Sequence, residues 1–370
     1  MLPPPLTALL KRVSRSFFLS VRVLPDEVAA PIGLGYLLAR AADTIADTDL
    51  LPATTRLSLL GELSSASEGD VAALARLQLA LRELLRQPMG QALPSSEQTL
   101  LAVLDECLSL HLQADEPDRR LVTRVLGQLV SGMQTDLRRF PAAGSVSSAD
   151  QVVVLQSLAE LDEYTYYAAG CVGEFWTELC AAHLPGLAHL RSPELVDRGV
   201  SLGKALQLTN VVRDLAADLR IGRCYIPQPL LDEHGLTCAR LYDLTRTPPR
   251  DLGEARAMRK LTATLLRLGI RRCDEAWPYV LAIPKSLVRL RLACVWPLFL
   301  ALDTLAMLGN VGSPLVTPDQ PVKVSRQSVY GLVFATTLST LAADVGASDR
   351  FLERQFQHKR QLAWRSVEGS

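Results

Sequence analysis

Two pairs of aspartates are the most informative chemical feature of the sequence. Asp43 and Asp47 end one apolar segment, and Asp214 and Asp218 end another. On a helix this spacing places both carboxylates of a pair on one face, where like charges cost about 0.2–0.5 kcal/mol without a counter-ion. Carboxylate oxygens are ligands for Mg²⁺, which in turn binds substrate phosphates. Each pair indicates either a magnesium diphosphate site or a solvated helix end, and the repetition favours the magnesium site.

Arginines accompany both pairs. Arg40 lies three residues before Asp43, and Arg213 immediately precedes Asp214, so acid and base share one neighbourhood. Guanidinium groups bind phosphate oxygens through two parallel hydrogen bonds. We therefore predict that Arg15 and Arg223, in two further short segments, bind phosphate. The other nearby arginines are interpreted as solvated surface residues: Arg22, Arg138, Arg139 and Arg220.

Three tyrosines and two glycines follow one another between Tyr164 and Gly173. A glycine inside a helix costs about 1 kcal/mol relative to alanine, so Gly170 and Gly173 predict the close approach of either a neighbouring helix or a ligand. The tyrosines either pack with their hydroxyls at the rim or act on the ligand. A phenol can donate a hydrogen bond to a departing anion, and an aromatic face can stabilise a cation. The functional interpretation is favoured.

The segments that position these residues have helical periodicity. Apolar residues recur at spacings of three and four, whereas the alternating pattern of strands is almost absent. The predicted helices cover residues 26–48, 54–66, 70–87, 96–113, 118–139, 148–182, 193–219, 251–278, 284–308, 326–343 and 347–366. Connections between them are short, so we predict one all-α domain over residues 1–370.

Composition excludes several classes of protein. Among the 370 residues, 48% are hydrophobic and 21% charged, which is too apolar for a disordered chain and too mixed for a polytopic membrane protein. Thirty-nine basic residues balance thirty-nine acidic ones, so no overall positive field attracts nucleic acid. Seven cysteines without a Cys-x-x-Cys pair argue against a disulfide scaffold and a structural zinc site. A reducing compartment follows.

The sequence also carries predictions about location. The opening residues MLPPPLTALLKRVSRSFF lack the apolar core and cleavage site of a secretory signal. The most apolar run, residues 292–302, is shorter than the roughly 20 residues that span a bilayer. We therefore expect a cytoplasmic protein without a transmembrane helix. Residues 351–364 mix Phe, Leu and Trp with Arg and Lys, so this segment either contacts the inner face of the membrane peripherally or closes the domain.

Five motifs, in order, resemble those of the squalene and phytoene synthases, which are head-to-head prenyl transferases with an all-α isoprenoid synthase fold. They are Ser14-Arg-Ser-Phe17, Arg40-Ala-Ala-Asp-Thr-Ile-Ala-Asp47, Tyr164-Thr-Tyr-Tyr-Ala-Ala-Gly-Cys-Val-Gly173, Gln207-Leu-Thr-Asn-Val-Val-Arg-Asp-Leu-Ala-Ala-Asp218 and Gly222-Arg-Cys-Tyr-Ile-Pro227. The resemblance covers nearly the whole chain. It implies a single helical bundle around a central cavity and a prenyl diphosphate substrate.

The resemblance also implies roles for individual residues. Asp43 and Asp47 would hold Mg²⁺ on one diphosphate, and Asp214 and Asp218 would do the same across the cavity, with Tyr164 beside the departing diphosphate. Substrate-binding residues carried over by the resemblance are Ser14, Arg15, Phe17, Tyr36, Arg40, Gln207, Asn210, Arg213 and Arg223. Residues implied in contacts with the cofactor phosphate are Arg15, Arg40, Arg213, Lys323 and Arg326.

Two features resemble the squalene synthase branch, in which NADPH reduces the final cation. Asp43 is followed by Thr44, where phytoene-type members usually read Asp-Asp. The segment Val322-Lys-Val-Ser-Arg326 resembles one that squalene synthases use near the NADPH phosphate, with Ser325 in place of an arginine. No Gly-x-Gly-x-x-Gly follows a predicted strand, so NADPH would bind without a Rossmann domain. The implied activity is squalene synthesis from two farnesyl diphosphates through presqualene diphosphate.

Two alternatives stay open. The first is an NADPH-independent phytoene or dehydrosqualene synthase. The second is a non-catalytic helical assembly factor, which the four aspartates disfavour because a scaffold gains nothing from an uncompensated acidic cluster. A further acid, Asp303, imitates the first motif but lacks a second acid four residues later, so we interpret it as structural.

Overall fold

The computed structural model describes residues 2–14, 17–48, 50–140, 146–311, 322–342 and 345–368. Nearly all of these residues are helical, which confirms the predicted all-α class. The chain divides into two compact units, Met1–Ala143 with Glu174–Arg191, and Gly144–Gly173 with Ser192–Ser370. The single-domain organisation stays a prediction.

The helices differ widely in length. Those before residue 145 are α1 (Pro4–Val13), α2 (Phe17–Val23), α3 (Asp26–Asp47), α4 (Ala53–Ser67), α5 (Val71–Arg86), α6 (Pro88–Gln91), α7 (Ser95–Ala102), α8 (Leu104–Leu112) and α9 (Glu116–Arg139). Those after it are α10 (Leu158–Thr165), α11 (Cys171–His183), α12 (Pro193–Arg220), α13 (Gln228–Glu233), α14 (Cys238–Leu244), α15 (Leu252–Ala282), α16 (Val288–Val311), α17 (Arg326–Ala342) and α18 (Val345–Glu368).

The long helix α12 shows how the sequence sets a boundary. Ser192 is its N-cap, and the Ser192 hydroxyl accepts a hydrogen bond from the Leu195 backbone N–H at 3.4 Å. Pro193 occupies the first turn, where its fixed φ suits a helix and its missing N–H costs nothing. The helix then runs to Arg220 and carries Asp214 and Asp218 near its C-terminal end.

The predicted helix over residues 148–182 is wrong at its start. Residues Ala149–Gln151 form a 3₁₀ turn, and strand β1 (Val153–Val154) pairs in parallel with strand β2 (Arg223–Cys224). β-Branched valines favour an extended backbone, and Ser157 then caps α10 through the Glu160 N–H. The later part contains a π-helical segment, Tyr166–Gly170, between α10 and α11.

Other differences have local causes. The predicted helix over 96–113 is two helices, because Val103 leaves helical geometry at φ −109° and ψ 13°. Helices α1, α2, α6, α13 and α14 were not predicted. In α1 and α13 a proline lies in the first turn, and a proline there starts a helix although elsewhere it ends one.

Two helical segments of the second unit pack at backbone contact. A Cβ atom on Gly173 would lie 2.0 Å from the Gly199 carbonyl oxygen, and one on Gly203 would lie 2.1 Å from the Ala169 carbonyl oxygen. Only glycine fits at such distances. The glycines of the Tyr164 segment therefore serve the approach of a neighbouring helix, α12, and not of a ligand.

The C-terminal helix α18 buries its apolar face. Leu352 and Phe356 are 0% and 2% exposed, and the Phe356 ring stacks on Trp277 of α15 at 4.3 Å between centroids. Lys359 of α18 binds both carboxylate oxygens of Asp303 in α16 at 2.6 Å, which confirms a structural role for Asp303. The packing favours the domain-closing interpretation of this helix over direct membrane contact.

One helix among the described residues is long and apolar enough to cross a membrane by length and composition. This is α16, whose most apolar window is 72% buried inside the protein and which carries Pro297. Such burial is typical of a core helix, and the apolar run that the sequence shows at 292–302 is the centre of it. The location of the protein stays a prediction.

Candidate active site

In the first unit, α3 carries the first acidic pair at its C-terminal end. Its apolar face, which includes Leu38, Ala42 and Ile45, is buried at 0–1% exposure. The opposite face presents Asp43, whose side chain is 43% exposed, and Asp47, which is exposed. The two carboxylates therefore share the accessible face of one helix, as their spacing predicts.

The carboxyl group of Asp43 is electrostatically strained. Surrounding protein atoms desolvate it, and Asp47 adds a like charge, so its pKa rises from the usual 3.8 to about 7. Arg40 lowers the pKa, but not enough to offset these two causes. Although the side chain is partly accessible to solvent, the direction of the shift shows that the Arg40 charge does not offset desolvation and the Asp47 charge at the Asp43 carboxyl. A bound cation would add a positive charge that favours the ionised form of Asp43.

Arg40 links this pair to a second helix. Its Nη2 donates to the Glu97 carboxylate of α7 at 2.6 Å, and its Nη1 lies 3.7 Å from Asp43. The Nε–H of Arg40 is buried without a hydrogen-bond partner among the described residues. An oxyanion such as a phosphate would satisfy this donor. Sequence reasoning missed Glu97, because its position relative to α3 depends on the tertiary fold.

The N-terminal residues implied by the resemblance are only partly described. Ser14 is buried, and its hydroxyl donates to the Leu10 carbonyl at 2.5 Å, so it satisfies the end of α1. The Tyr36 hydroxyl donates to the Val13 carbonyl at 3.5 Å, close to that end. Arg15 and the side chain of Phe17 lie outside the described residues. Substrate binding by these four residues stays a prediction.

In the second unit, α12 carries the second acidic pair. The Arg213 guanidinium forks onto Asp214, with Nε and Nη2 donating to the two carboxylate oxygens at 2.8 and 2.5 Å. Asp218 follows one turn later and is partly buried, as is Arg223 of β2. This pair therefore differs from the first, because a bidentate arginine compensates its leading carboxylate.

Tyr164 lies in a hydrogen-bonded and stacked cluster. The Gln207 side-chain amide donates to the Tyr164 hydroxyl at 2.9 Å, and Asn210 donates to the Gln207 amide oxygen at 3.2 Å. The Tyr164 ring stacks on Tyr225 with centroids 4.1 Å apart. The sequence predictions for Tyr164, Gln207 and Asn210 thus fall on residues that the structure brings together. Tyr225 was not assigned a role, although it lies inside the Gly222–Pro227 motif.

The backbone explains why this cluster is rigid. Tyr164 lies two residues before the π-helical segment, a feature that often lies at functional sites. The glycine contacts between this segment and α12 hold the two elements together at the closest distance that backbones allow. Gln207 and Asn210, on α12, therefore meet Tyr164 in a fixed register.

The donor sets fit Mg²⁺ only in combination with a substrate. Among the described residues no group of three or more His, Cys, Asp or Glu side chains could hold a metal ion. Each pair supplies two hard carboxylate ligands, and Mg²⁺ commonly completes its six-fold coordination with phosphate oxygens and water. The uncompensated charge at Asp43 and the unpaired Nε–H of Arg40 suit a magnesium ion and a diphosphate respectively.

The residues implied in NADPH binding lie at the start of α17. Lys323 and Arg326 are both exposed. Between them, the Ser325 hydroxyl hydrogen-bonds with Ser328 at 2.8 Å and accepts the Ser328 N–H at 3.1 Å, so it caps the helix. A cap accounts for a serine at this position, and the contact with a cofactor stays a prediction.

Comparisons with known proteins give one consistent family. The profile described as "Squalene/phytoene synthase" matches residues 10–328. A bifunctional lycopene cyclase/phytoene synthase from Neurospora crassa is 27% identical over 238 residues, which cover 62% of this chain and 36% of that protein. Squalene synthase ERG9 from Gibberella zeae is 26% identical, with coverage of 61% and 43%. The chain thus spans less than half the length of these relatives.

Solved structures share the fold. TcSQS in complex with the ligand BPH1237 superposes with a TM-score of 0.67 at 18% identity and covers 98% of both chains. A dehydrosqualene synthase in complex with a ligand superposes with a TM-score of 0.56 at 20% identity, covering 92% of this chain and 96% of that one. The isoprenoid synthase fold that the resemblance implied is confirmed.

Asp43→Asn should raise the thermal unfolding midpoint of the metal-free protein more at about pH 8 than at about pH 5. The Asp43 carboxyl has a folded-state pKa of about 7 against the usual 3.8, so the folded protein loses stability as the pH rises between these values. Asparagine does not ionise, so the variant does not lose this stability as the pH rises. Circular dichroism melts in EDTA at both pH values measure the difference. Asp47→Asn removes the neighbouring negative charge. It should therefore also raise the unfolding midpoint more at about pH 8 than at about pH 5, but by less than Asp43→Asn. An equal change at both pH values would contradict this assignment.

Proposed function

Because the chain belongs to the squalene/phytoene synthase family, we propose that it joins two farnesyl diphosphates head to head and reduces the product to squalene with NADPH. The observation that carries the proposal is the Asp-x-x-x-Asp pair on the accessible face of α3, repeated on α12. In this proposal each pair binds the diphosphate of one substrate through Mg²⁺. The metal, when bound, neutralises the negative charge that develops on the departing diphosphate.

The arginines act beside the carboxylates. Arg40 is held by Glu97 so that its buried Nε–H can donate to a phosphate oxygen. The Arg213 guanidinium forms an ion pair with Asp214. If the guanidinium moved to a phosphate, the Asp214 carboxylate would be available to bind the metal. A single guanidinium thus compensates Asp214 before substrate binds and the diphosphate afterwards. Arg223, on the strand that follows α12, would add a further positive charge.

Tyr164 would assist the loss of diphosphate. Its hydroxyl accepts a hydrogen bond from Gln207, which polarises the phenol and strengthens it as a donor. Stacking on Tyr225 restricts the ring to one orientation. A fixed hydroxyl that donates to a bridging oxygen stabilises the negative charge that develops as the carbon–oxygen bond breaks.

The reaction then proceeds through cations that must not meet water. Departure of one diphosphate leaves an allylic cation, and the double bond of the second farnesyl diphosphate attacks it. Loss of a proton closes the three-membered ring of presqualene diphosphate. In the second half, the remaining diphosphate leaves and the ring rearranges. NADPH, which Lys323 and Arg326 would hold, would supply the hydride that converts the final cation to squalene, with NADP⁺ as the other product.

The choice of squalene rests on two segments. Thr44 is 4% exposed and its hydroxyl donates to the Arg40 carbonyl at 3.0 Å, so this position points into the protein and supplies no third carboxylate. Lys323 and Arg326 are exposed and positive, as a cofactor phosphate would require. Through the resemblance, both segments support squalene, and not phytoene or dehydrosqualene, as the product.

A second candidate is a phytoene or dehydrosqualene synthase, which forms the same type of cyclopropyl intermediate but ends by proton loss. The phytoene synthase names of relatives such as the N. crassa protein favour it. A non-catalytic scaffold is disfavoured, because ionised Asp43 costs stability that a structural protein has no reason to carry.

Product analysis distinguishes the candidates. Purified protein is incubated with farnesyl or geranylgeranyl diphosphate and Mg²⁺, with and without NADPH, and the hydrocarbons are identified by mass spectrometry. We expect squalene from farnesyl diphosphate only when NADPH is present, and presqualene diphosphate when it is omitted. Dehydrosqualene or phytoene formed equally with and without NADPH would contradict the squalene assignment. Absence of any condensation product would contradict the whole proposal.

Tyr164→Phe should lower the turnover number by about 10²–10³-fold, because it removes a donor to the departing diphosphate. The ring and its stacking on Tyr225 are retained, so the melting temperature should change little. Single-turnover measurements of diphosphate release report the step directly. Tyr330→Phe, at an exposed tyrosine of α17, is the matched control. Near-normal release by Tyr164→Phe would reduce Tyr164 to a packing role.

A further inference from the structure

One exposed aromatic stripe lies on α17, C-terminal to Lys323 and Arg326, the residues proposed to contact the cofactor phosphate. Tyr330, Phe334 and Leu338 are spaced four residues apart, so they share one face of the helix. They are 64%, 69% and 54% exposed. Residues 327–342 include no Asp, Glu, Lys or Arg. An apolar stripe of this kind, on an uncharged helix at the surface, marks an interaction site.

The apolar surface extends from the stripe onto two neighbouring helices. A cavity of about 670 Å³ lies between α16, α17 and α18. Gly331 of α17 is exposed and lines this cavity one residue after Tyr330. On the far walls, Met307 of α16 and Leu362 of α18 are 37% and 42% exposed. The surface therefore combines a protruding apolar stripe with an adjoining recess that both apolar and polar side chains line.

Among the described residues, the charged side chains beside this surface that make no ion pair are positive. Lys323 and Arg326 are exposed at the N-terminal end of α17, and Arg365 is exposed on α18 and lines the cavity. The acidic residue in the cavity wall, Asp303, is paired with Lys359 at 2.6 Å. Cations beside an apolar helix face complement the anionic headgroups of a bilayer.

We propose that α17 is a membrane-docking helix that binds the surface of bilayers containing anionic phospholipid. Tyr330, Phe334 and Leu338 enter the boundary between headgroups and acyl chains, and the cations contact lipid phosphates. Aromatic residues are favoured at this depth, since their rings suit both apolar and hydrated surroundings. Lys323 and Arg326 are also assigned above to the cofactor phosphate, whereas Arg365 and the stripe Tyr330, Phe334 and Leu338 belong to the membrane proposal alone.

Two features favour a membrane over the alternatives. Association of a second copy through the same face would bring three positive charges of each chain together, which disfavours self-association. The other candidate for membrane contact, α18, has its Leu352 and Phe356 buried against the body of the unit. The exposed aromatic residues of α17 lack such cover.

The test is flotation of the purified full chain with vesicles of phosphatidylglycerol and phosphatidylcholine in equal amounts, and with vesicles of phosphatidylcholine alone. We expect binding to the anionic vesicles that weakens as salt is raised, and little binding to the neutral ones. Phe334→Glu should lower the partition coefficient by about tenfold or more, because it places a charge in the apolar boundary. Arg365→Glu should lower it by about tenfold on anionic vesicles.

Leu79→Glu is the matched control, because Leu79 of α5 is 70% exposed and Phe334 is 69% exposed. It should leave vesicle binding unchanged. Neither Phe334 nor Arg365 has been assigned to the reaction, so activity in detergent should persist in both variants. Equal loss of binding in Leu79→Glu and Phe334→Glu would overturn the proposal, as would equal binding to neutral vesicles. A dimer by light scattering that Phe334→Glu converts to a monomer, without vesicle binding, would assign the face to self-association instead.

Discussion

The cost of ionising Asp43, which is desolvated and lies beside Asp47, is the electrostatic constraint on which the proposed site depends. The accessible end of α3 holds Asp43 and Asp47 one turn apart, and the nearby Arg40 is engaged mainly with Glu97. Desolvation, followed by the Asp47 charge, raises the pKa of the Asp43 carboxyl to about 7. A folded chain tolerates such a cost when a ligand offsets it. A divalent cation would supply the positive charge that Asp43 lacks, and it would bind a diphosphate at the same time.

The second unit places its acidic pair in a different electrostatic setting. Arg213 neutralises Asp214 directly, and rigidity comes from the backbone. The contacts of Gly173 with Gly199 and of Gly203 with Ala169 bring the Tyr164 segment against α12. Without that approach, Gln207 could not reach the Tyr164 hydroxyl at 2.9 Å. The first unit thus carries an Asp43 carboxyl with a raised pKa, and the second unit carries the hydrogen-bonded cluster around Tyr164.

Long helices and spaced motifs could be predicted from the sequence because their signals are local. The bounds of α3 and α12 lie within one residue of the predicted ones, and the Asp pairs need only helical spacing to share a face. Glu97 could not be predicted, since it reaches Arg40 from 57 residues away through tertiary packing. Strands of two residues have no detectable period, so β1 and β2 were missed. Residues 351–364 predicted either a membrane contact or a helix that closes the domain, because the burial of Leu352 and Phe356 depends on which helices pack together.

Calorimetric titration with farnesyl thiodiphosphate, a slowly reacting analogue of the proposed substrate, tests directly whether the aspartate pairs bind magnesium diphosphate. Wild-type protein, Asp43→Asn and Asp214→Asn are each titrated in Mg²⁺ and again in EDTA. In Mg²⁺ we expect each variant to bind farnesyl thiodiphosphate about tenfold or more weakly than wild type does. In EDTA the three proteins should bind it equally. Wild-type affinity of both variants in Mg²⁺, or an equal loss with and without the metal, would show that these carboxylates do not bind magnesium diphosphate.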